Sequence, residues 1–171
     1  MLLSEKNKTF QEAISCKFLE ESSLESKVSQ LRTLGKTIGT LNGSFDLLHA
    51  GHLEMLYQAS LQADVLIVAL NSDASIQKYK SSKRPIIPLL YRMQMIASLS
   101  MVDFVTYFEQ TDPISILEKI RPDVHTNGAE YGENCIEAEV VKRHGGRIHI
   151  VPLVQGLSTT QIIKKIVSTC D

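Results

Sequence analysis

Apolar residues fall along this chain into two alternating kinds of run. One short continuous apolar block, Val65-Leu66-Ile67-Val68-Ala69-Leu70, suits a strand, and the more mixed stretches Val102 to Tyr107, Arg147 to Val151, Thr37-Ile38 and Val124 to Thr126 also read as strands. A strand-length block without polar alternation is the pattern of a strand buried on both faces of a parallel sheet. Between the blocks, apolar positions recur three or four apart. They predict helices from Leu24 to Gly35, capped at Ser22-Ser23, from Leu53 to Gln62, a short one ending near Tyr79, and others over Leu89 to Leu99, Ile114 to Ile120, Glu133 to His144 and Thr159 to Val167. Local punctuation agrees, with Gly35 and Gly145-Gly146 closing helices, Pro88 and Asp112-Pro113 opening them and Ser158 capping the last. About five strands alternating with helices predict a doubly wound α/β sheet. Residues 1–35, polar with apolar positions at Phe10, Ala13, Ile14, Phe18 and Leu19, are expected to form an N-terminal helical appendage, and residues 36–171 a single domain.

In such sheets ligands bind beyond the carboxyl ends of the strands. The polar clusters Asn42 to His52, Asn71-Ser72-Asp73, Asn127-Gly128 and Gly156 to Thr160 each follow a predicted strand, so one rim would collect them. The stretch Thr40 to His52 is the richest. It runs from a strand end into a helix start, where free backbone N–H groups carry partial positive charge, and Gly43 and Gly51 let an anion approach without meeting a Cβ. His49 and His52, three apart, face the same side. Taken alone, a His-x-x-His pair is also a common accident of helical sequence, and Gly51 an ordinary turn residue. The basic loop Lys80-Ser81-Ser82-Lys83-Arg84-Pro85 has the same double character, mobile charge or plain solvated surface.

Composition narrows the class. With 171 residues, 43% hydrophobic and 22% charged, one soluble domain with a sizeable core is expected. A net charge of −1 offers no global attraction to nucleic acid or to an anionic membrane surface. Cys16, Cys135 and Cys170 lack CxxC spacing, which argues against a disulfide framework or zinc site and for a reducing, cytoplasmic location. No secretory leader is expected, and Val65 to Leu70 is too short to span a bilayer. No third metal ligand stands beside His49 and His52.

The run Asn42-Gly43-Ser44-Phe45-Asp46 followed by His49-Ala50-Gly51-His52 resembles the signature of the nucleotidyltransferase superfamily with a His-x-Gly-His motif. The similarity extends from about Leu24 to the C-terminus. It includes Val68 to Ser75, Arg84-Pro85, Arg92-Met93, Gly156-Leu157-Ser158-Thr159-Thr160 and Ile162 to Ile166, and is nearest to the heptose-1-phosphate adenylyltransferases that make ADP-heptose for lipopolysaccharide cores. Related glycerol-phosphate and choline-phosphate cytidylyltransferases usually carry Arg-Thr-Glu-Gly before the Ser-Thr pair, whereas this chain has Leu153-Val154-Gln155-Gly156. A second departure is Asn127-Gly128-Ala129-Glu130-Tyr131 in place of Lys-Gly-Gly-Asp-Tyr.

The resemblance implies a Rossmann-like five-stranded parallel sheet and transfer of a nucleoside monophosphate from ATP, carried with Mg²⁺, to a sugar phosphate. It implies His49, His52, Lys80 and Arg92 as catalytic, with Lys80, Arg84 and Arg92 closing over the phosphates. The nucleotide would be held by Asn42, Gly43, Ser44, Phe45, Asp46, Gly51, Asn71, Asp73, Arg84, Gly128, Gly156, Ser158, Thr159 and Thr160. Asp46 and Asp73 could orient a ribose, a histidine or a magnesium-bound water, or form local turn bonds. Mg²⁺ would be held by phosphates and water rather than by a protein cage. A homodimer is the assembly the resemblance suggests. CTP with glycerol phosphate, or nucleotide binding without turnover, are the alternatives.

Overall fold

The computed structural model describes residues 8–152, 156 and 158–169. The readings that fall on Leu153 to Gln155, Leu157 and Cys170 lie outside the described residues. Short α1 (Phe10–Ser15) starts with a capping box, in which the Thr9 hydroxyl accepts from the Glu12 amide and the Glu12 carboxylate accepts from the Thr9 amide. Helix α2 (Glu21–Thr33) has Glu20 at its N-cap position. The expected caps Ser22 and Ser23 lie inside its first turn, and Ser23 Oγ donates back to the Glu20 carbonyl at 3.0 Å.

The remaining elements alternate as β1 (Ile38–Gly43), α3 (Ala50–Ser60), β2 (Val65–Asn71), α4 (Asp73–Tyr79), α5 (Leu89–Ala97), β3 (Phe104–Phe108), α6 (Ile114–Ile120), β4 (Val124–Gly128), α7 (Ala138–Arg143), β5 (Arg147–Val151) and α8 (Thr159–Thr169). All strand pairs are parallel, in the order β3-β2-β1-β4-β5. Chain order therefore reverses between β1 and β4, the crevice where a doubly wound sheet binds its ligand.

Every residue of β2 is buried, as its unbroken apolar run requires. On one face Leu41, Leu66, Val68, Leu70 and Val105 pack with Ile14, Leu56 and Ile96 of α1, α3 and α5. On the other, Ile38, Ile67 and Ala69 pack with Leu24, Val28, Ile116, Leu117, Ile120, Val140 and Val141 of α2, α6 and α7. The N-terminal helices thus contribute to both cores. The connection between them also closes a sheet edge: the Leu19 amide donates to the Val105 carbonyl and the Val105 amide to the Lys17 carbonyl, both at 2.8 Å. Lys17 Nζ then donates to the carbonyls of Leu99 and Val102 beyond the end of α5.

Several boundaries differ from the sequence pattern, among them the starts of α2 and α3, each three residues earlier than expected, and two of the differences have a visible tertiary cause. β3 begins at Phe104 rather than Val102, because Asp103 turns its carboxylate to accept from the Leu66 amide at 2.8 Å. Helix α7 starts at Ala138 rather than Glu133, because the preceding turns bury Cys135 and carry the Glu137 carboxylate to the amides of Asn42 and Asn127.

His125 of β4 is wholly enclosed, its Nδ1 2.8 Å from Thr40 Oγ1 across the β1–β4 pair. Burial drives its pKa down to about 4, against the smaller upward pull of Glu137. Between pH 6.5 and about 4 the unfolded chain therefore holds more protons on this residue, so its contribution to stability is full above that window and is lost as pH falls through it. Urea titrations from pH 7.5 to 4.5 should show wild-type stability dropping faster than that of His125→Gln, by up to about 1.4 kcal/mol per pH unit inside the window.

Candidate active site

At the carboxyl end of β1 the chain leaves the sheet through Gly43 and Ser44, and Phe45 takes a left-handed backbone (φ 46°) that sends its ring back into the core. A Cβ on Gly43 would meet that ring at 3.2 Å, which accounts for glycine here. The chain then enters α3 with His49 at the N-cap position. His52, one turn on, stacks its ring on that of His49, with centroids 3.8 Å apart and planes 23° from parallel, and tilts against Phe45 at 5.3 Å.

Burial lowers the His49 pKa. Burial, and then the positive fields of His49 and Lys80, bring His52 down to about 4. Both rings are therefore neutral near pH 7, each able to donate one N–H. Lys80, just after α4, reaches over so that its Nζ donates to Ser44 Oγ at 2.8 Å. Its own pKa is lowered by burial and by Arg84 and Arg92.

These groups line a cavity of about 580 Å³ at the β1–β4 crevice. Of the residues expected from sequence, it gathers Asn42, Gly43, Ser44, Phe45, His49, Gly51, His52, Lys80, Gly156, Ser158, Thr159 and Thr160. Ser158 accepts from the Gln161 amide at 3.2 Å and so caps α8, whose first turn faces the start of α3 across the cavity. Asn127 joins the gathered residues, as its place in a polar cluster after a predicted strand implies, while Leu41, Met55, Glu130, Tyr131 and Gln161 complete the wall without having been expected as site residues.

Six expected residues lie outside the cavity wall. Arg92 does not reach in from α5. Its side chain is fully buried, with Nε donating to the Ile87 carbonyl, Nη1 to that of Ser44, and Nη2 to the Asn71 carbonyl and Asp73 Oδ1. Those bonds use both Arg92 and Asp73 to hold neighbouring loops. Asp46, likewise buried, accepts from the amides of Ile86 and Ile87 and pairs with Arg84 at 2.6 Å, which keeps Arg84 from the phosphate position proposed for it. Asn71 Nδ2 donates to Ser75 Oγ. Gly128 ends β4 under the Glu130 carboxylate, which occupies the place a Cβ would take. Among the described residues no group of three or more His, Cys, Asp or Glu could hold a metal ion. His144 pairs with Glu118 on the surface, far in role from the cavity.

A neutral histidine pair at a helix start, lining one cavity with a second helix start and a lysine, offers N–H donors and positive charge to an anion at the switch point of a parallel sheet. The family model described as cytidylyltransferase-like matches residues 40–165, the span that builds it. The chain belongs to the cytidylyltransferase-like family. As a member it is a nucleotidyltransferase. A bifunctional protein HldE from Geotalea uraniireducens is 43% identical over 136 residues, covering 79% of this chain and 28% of the relative. The chain thus spans less than a third of that relative's length. Among solved structures, the lipopolysaccharide core biosynthesis protein from Thermoplasma volcanium is 27% identical, with a TM-score of 0.57 over 70% of this chain and 98% of that one. Pantoate-beta-alanine ligase from Francisella tularensis, 16% identical, covers 90% of this chain and 78% of its own with a TM-score of 0.58, and shares the fold. No helix among the described residues is long and apolar enough to cross a membrane.

Two outcomes test this cytidylyltransferase-like site. Arg92→Lys should leave the carbonyls of Ser44 and Asn71 unmet and lower unfolding free energy by about 1–3 kcal/mol for each, read by urea denaturation. Nuclear magnetic resonance titration should find His52 near pKa 4 in the free protein and higher once a triphosphate supplies negative charge beside it.

Proposed function

We propose that the chain transfers an adenylyl group from MgATP to the phosphate of a sugar 1-phosphate, with heptose 1-phosphate as the acceptor, on the way to lipopolysaccharide core sugars. The observation that carries the chemistry is the stacked, neutral His49–His52 pair at the start of α3, facing Lys80 and the start of α8 across one cavity. The acceptor is supported by the resemblance of the motif runs and by the lipopolysaccharide assignment in the Thermoplasma protein's name.

An oxygen of the sugar phosphate attacks the α-phosphorus of ATP in line. A new P–O–P bridge forms as the bond between the α-phosphorus and the bridging oxygen breaks, and pyrophosphate leaves with that electron pair. The attacking phosphate is already an anion, so no general base is needed. The residues must instead position two anions and offset the charge that gathers between them. His49 and His52 donate to α- and β-phosphate oxygens without adding fixed charge to the empty cavity. Lys80 exchanges its bond with Ser44 for a phosphate oxygen, and the free amides and hydroxyls at Ser158 to Thr160 hold the terminal phosphate. Asp46 is occupied by Arg84 and two amides, so Mg²⁺ would come with the nucleotide rather than be held by this carboxylate, and would supply positive charge to its phosphates.

Pyrophosphate release tests this reading with ATP and CTP against heptose 1-phosphate and glycerol 3-phosphate. Turnover with ATP and the heptose is expected, and His49→Ala should lower kcat by about a hundredfold or more, on the order of 3 kcal/mol. Turnover with CTP and glycerol phosphate instead would move the chain to the cytidylyltransferase branch. Nucleotide binding with no turnover on any acceptor would sink the catalytic assignment.

A further inference from the structure

β1 and β4 each bring an asparagine to the cavity, Asn42 and Asn127, on either side of the point where strand order reverses. Behind the two amides sits Glu137, 6% exposed, in the turn before α7. Its Oε1 accepts from Asn42 Nδ2 at 3.5 Å and its Oε2 from Asn127 Nδ2 at 3.3 Å. No lysine or arginine pairs with Glu137 among the described residues. A buried carboxylate held by two neutral amides and the Cys135 thiol, with buried His125 nearby, is a poor device for stability, since no lysine or arginine offsets its desolvation. It does impose orientation. With one N–H of each amide given to Glu137, the two amide planes are fixed while each nitrogen keeps a second N–H, and Asn42 Oδ1 is buried with no partner in the protein.

The surrounding wall has the same character. The Glu130 carboxylate lies over Gly128, where any side chain would collide with it, and faces the same cavity. This end of the cavity therefore presents acceptors and carboxylate charge, whereas the end at His49, His52 and Lys80 presents donors. A phosphate would be repelled from the first end, while hydroxyl groups would find the acceptors they need.

We propose that Glu137 is a positioning residue that fixes the orientation of the Asn42 and Asn127 amides, so that this end takes the uncharged, hydroxyl-rich part of a substrate. The inference rests on the nucleotidyltransferase reading for its ligands. Two sources supply that chemistry, the sugar hydroxyls of the acceptor and the ribose of the nucleotide.

The test is steady-state kinetics of wild type, Glu137→Gln and the exposed variant Glu130→Gln, with KM and kcat measured separately for ATP and heptose 1-phosphate, beside calorimetric titration with each ligand. Glutamine at 137 keeps the shape but can no longer accept from both amides. The expected result is a rise of about tenfold in KM and Kd for one ligand, with kcat within about twofold and an unchanged melting temperature. Glu130→Gln should shift the same ligand in the same direction by a smaller factor. A shift confined to heptose 1-phosphate assigns the end to the acceptor, and one confined to ATP assigns it to the ribose. Unchanged KM and Kd for both ligands in a folded Glu137→Gln would overturn the proposal, as would a fall in kcat alone. If wild type releases no pyrophosphate with any acceptor, the functional reading fails, and the calorimetric constants still decide the role of Glu137.

Discussion

A guanidinium keeps its charge at any pH a protein experiences, so burying one obliges the fold to surround it with acceptors. Arg92 meets that demand with carbonyls from three separate places, the motif turn at Ser44, the end of β2 at Asn71 and the loop at Ile87, together with the Asp73 carboxylate. None of those segments can move far without stranding the charge. Asp46 is the complementary case, a buried anion met by Arg84 and by the amides of Ile86 and Ile87. The two groups staple the loop between α4 and α5 to the histidine motif from opposite electrical directions. Lys80 leaves from the start of that stapled loop, which is why a flexible side chain comes to rest on Ser44 rather than in solvent.

Several charged residues near the cavity therefore act on protein rather than on ligand. The groups that do face it are mostly neutral at rest, namely two imidazoles, hydroxyls, amides and helix starts, with Lys80 as the mobile cation at one end and the Glu130 carboxylate at the other. Such a site does not repel itself when empty and does not hold every passing anion tightly. Its selectivity comes from geometry, because donors at helix starts are useful only to oxygens placed where they point.

The sheet was legible because its signals are local. The apolar block at Val65, the glycines after the helices and the serine before α8 each act through neighbouring residues, and the strand, the helix ends and the helix start they mark appear within a residue or two of the expected places. The cavity wall around His49, His52 and Ser158 was legible for the same reason. What failed was long-range. Arg92 and Arg84 carry the charge a phosphate site needs, but only the fold reveals that carbonyls and Asp46 consume it first. Glu137 sits in a run with helical spacing and looks like surface, while its partners Asn42 and Asn127 lie on strands that the fold brings beside it. The start of α7 was misplaced by that same tertiary demand, since a regular helix from Glu133 would not deliver the carboxylate there.

The single pairing of Phe18 with Val105 has a consequence out of proportion to its length. β3 is a terminal strand of the sheet, and an uncovered terminal strand offers its N–H and C=O groups to any passing chain. By occupying Val105 from both sides of its peptide, and by anchoring Lys17 to the carbonyls past α5, the N-terminal segment works as a selvedge on the fabric. Proteolytic trimming ahead of residue 20 would take Ile14 and Leu19 from the two cores and bare the Val105 peptide, leaving a frayed border to which another chain could be stitched.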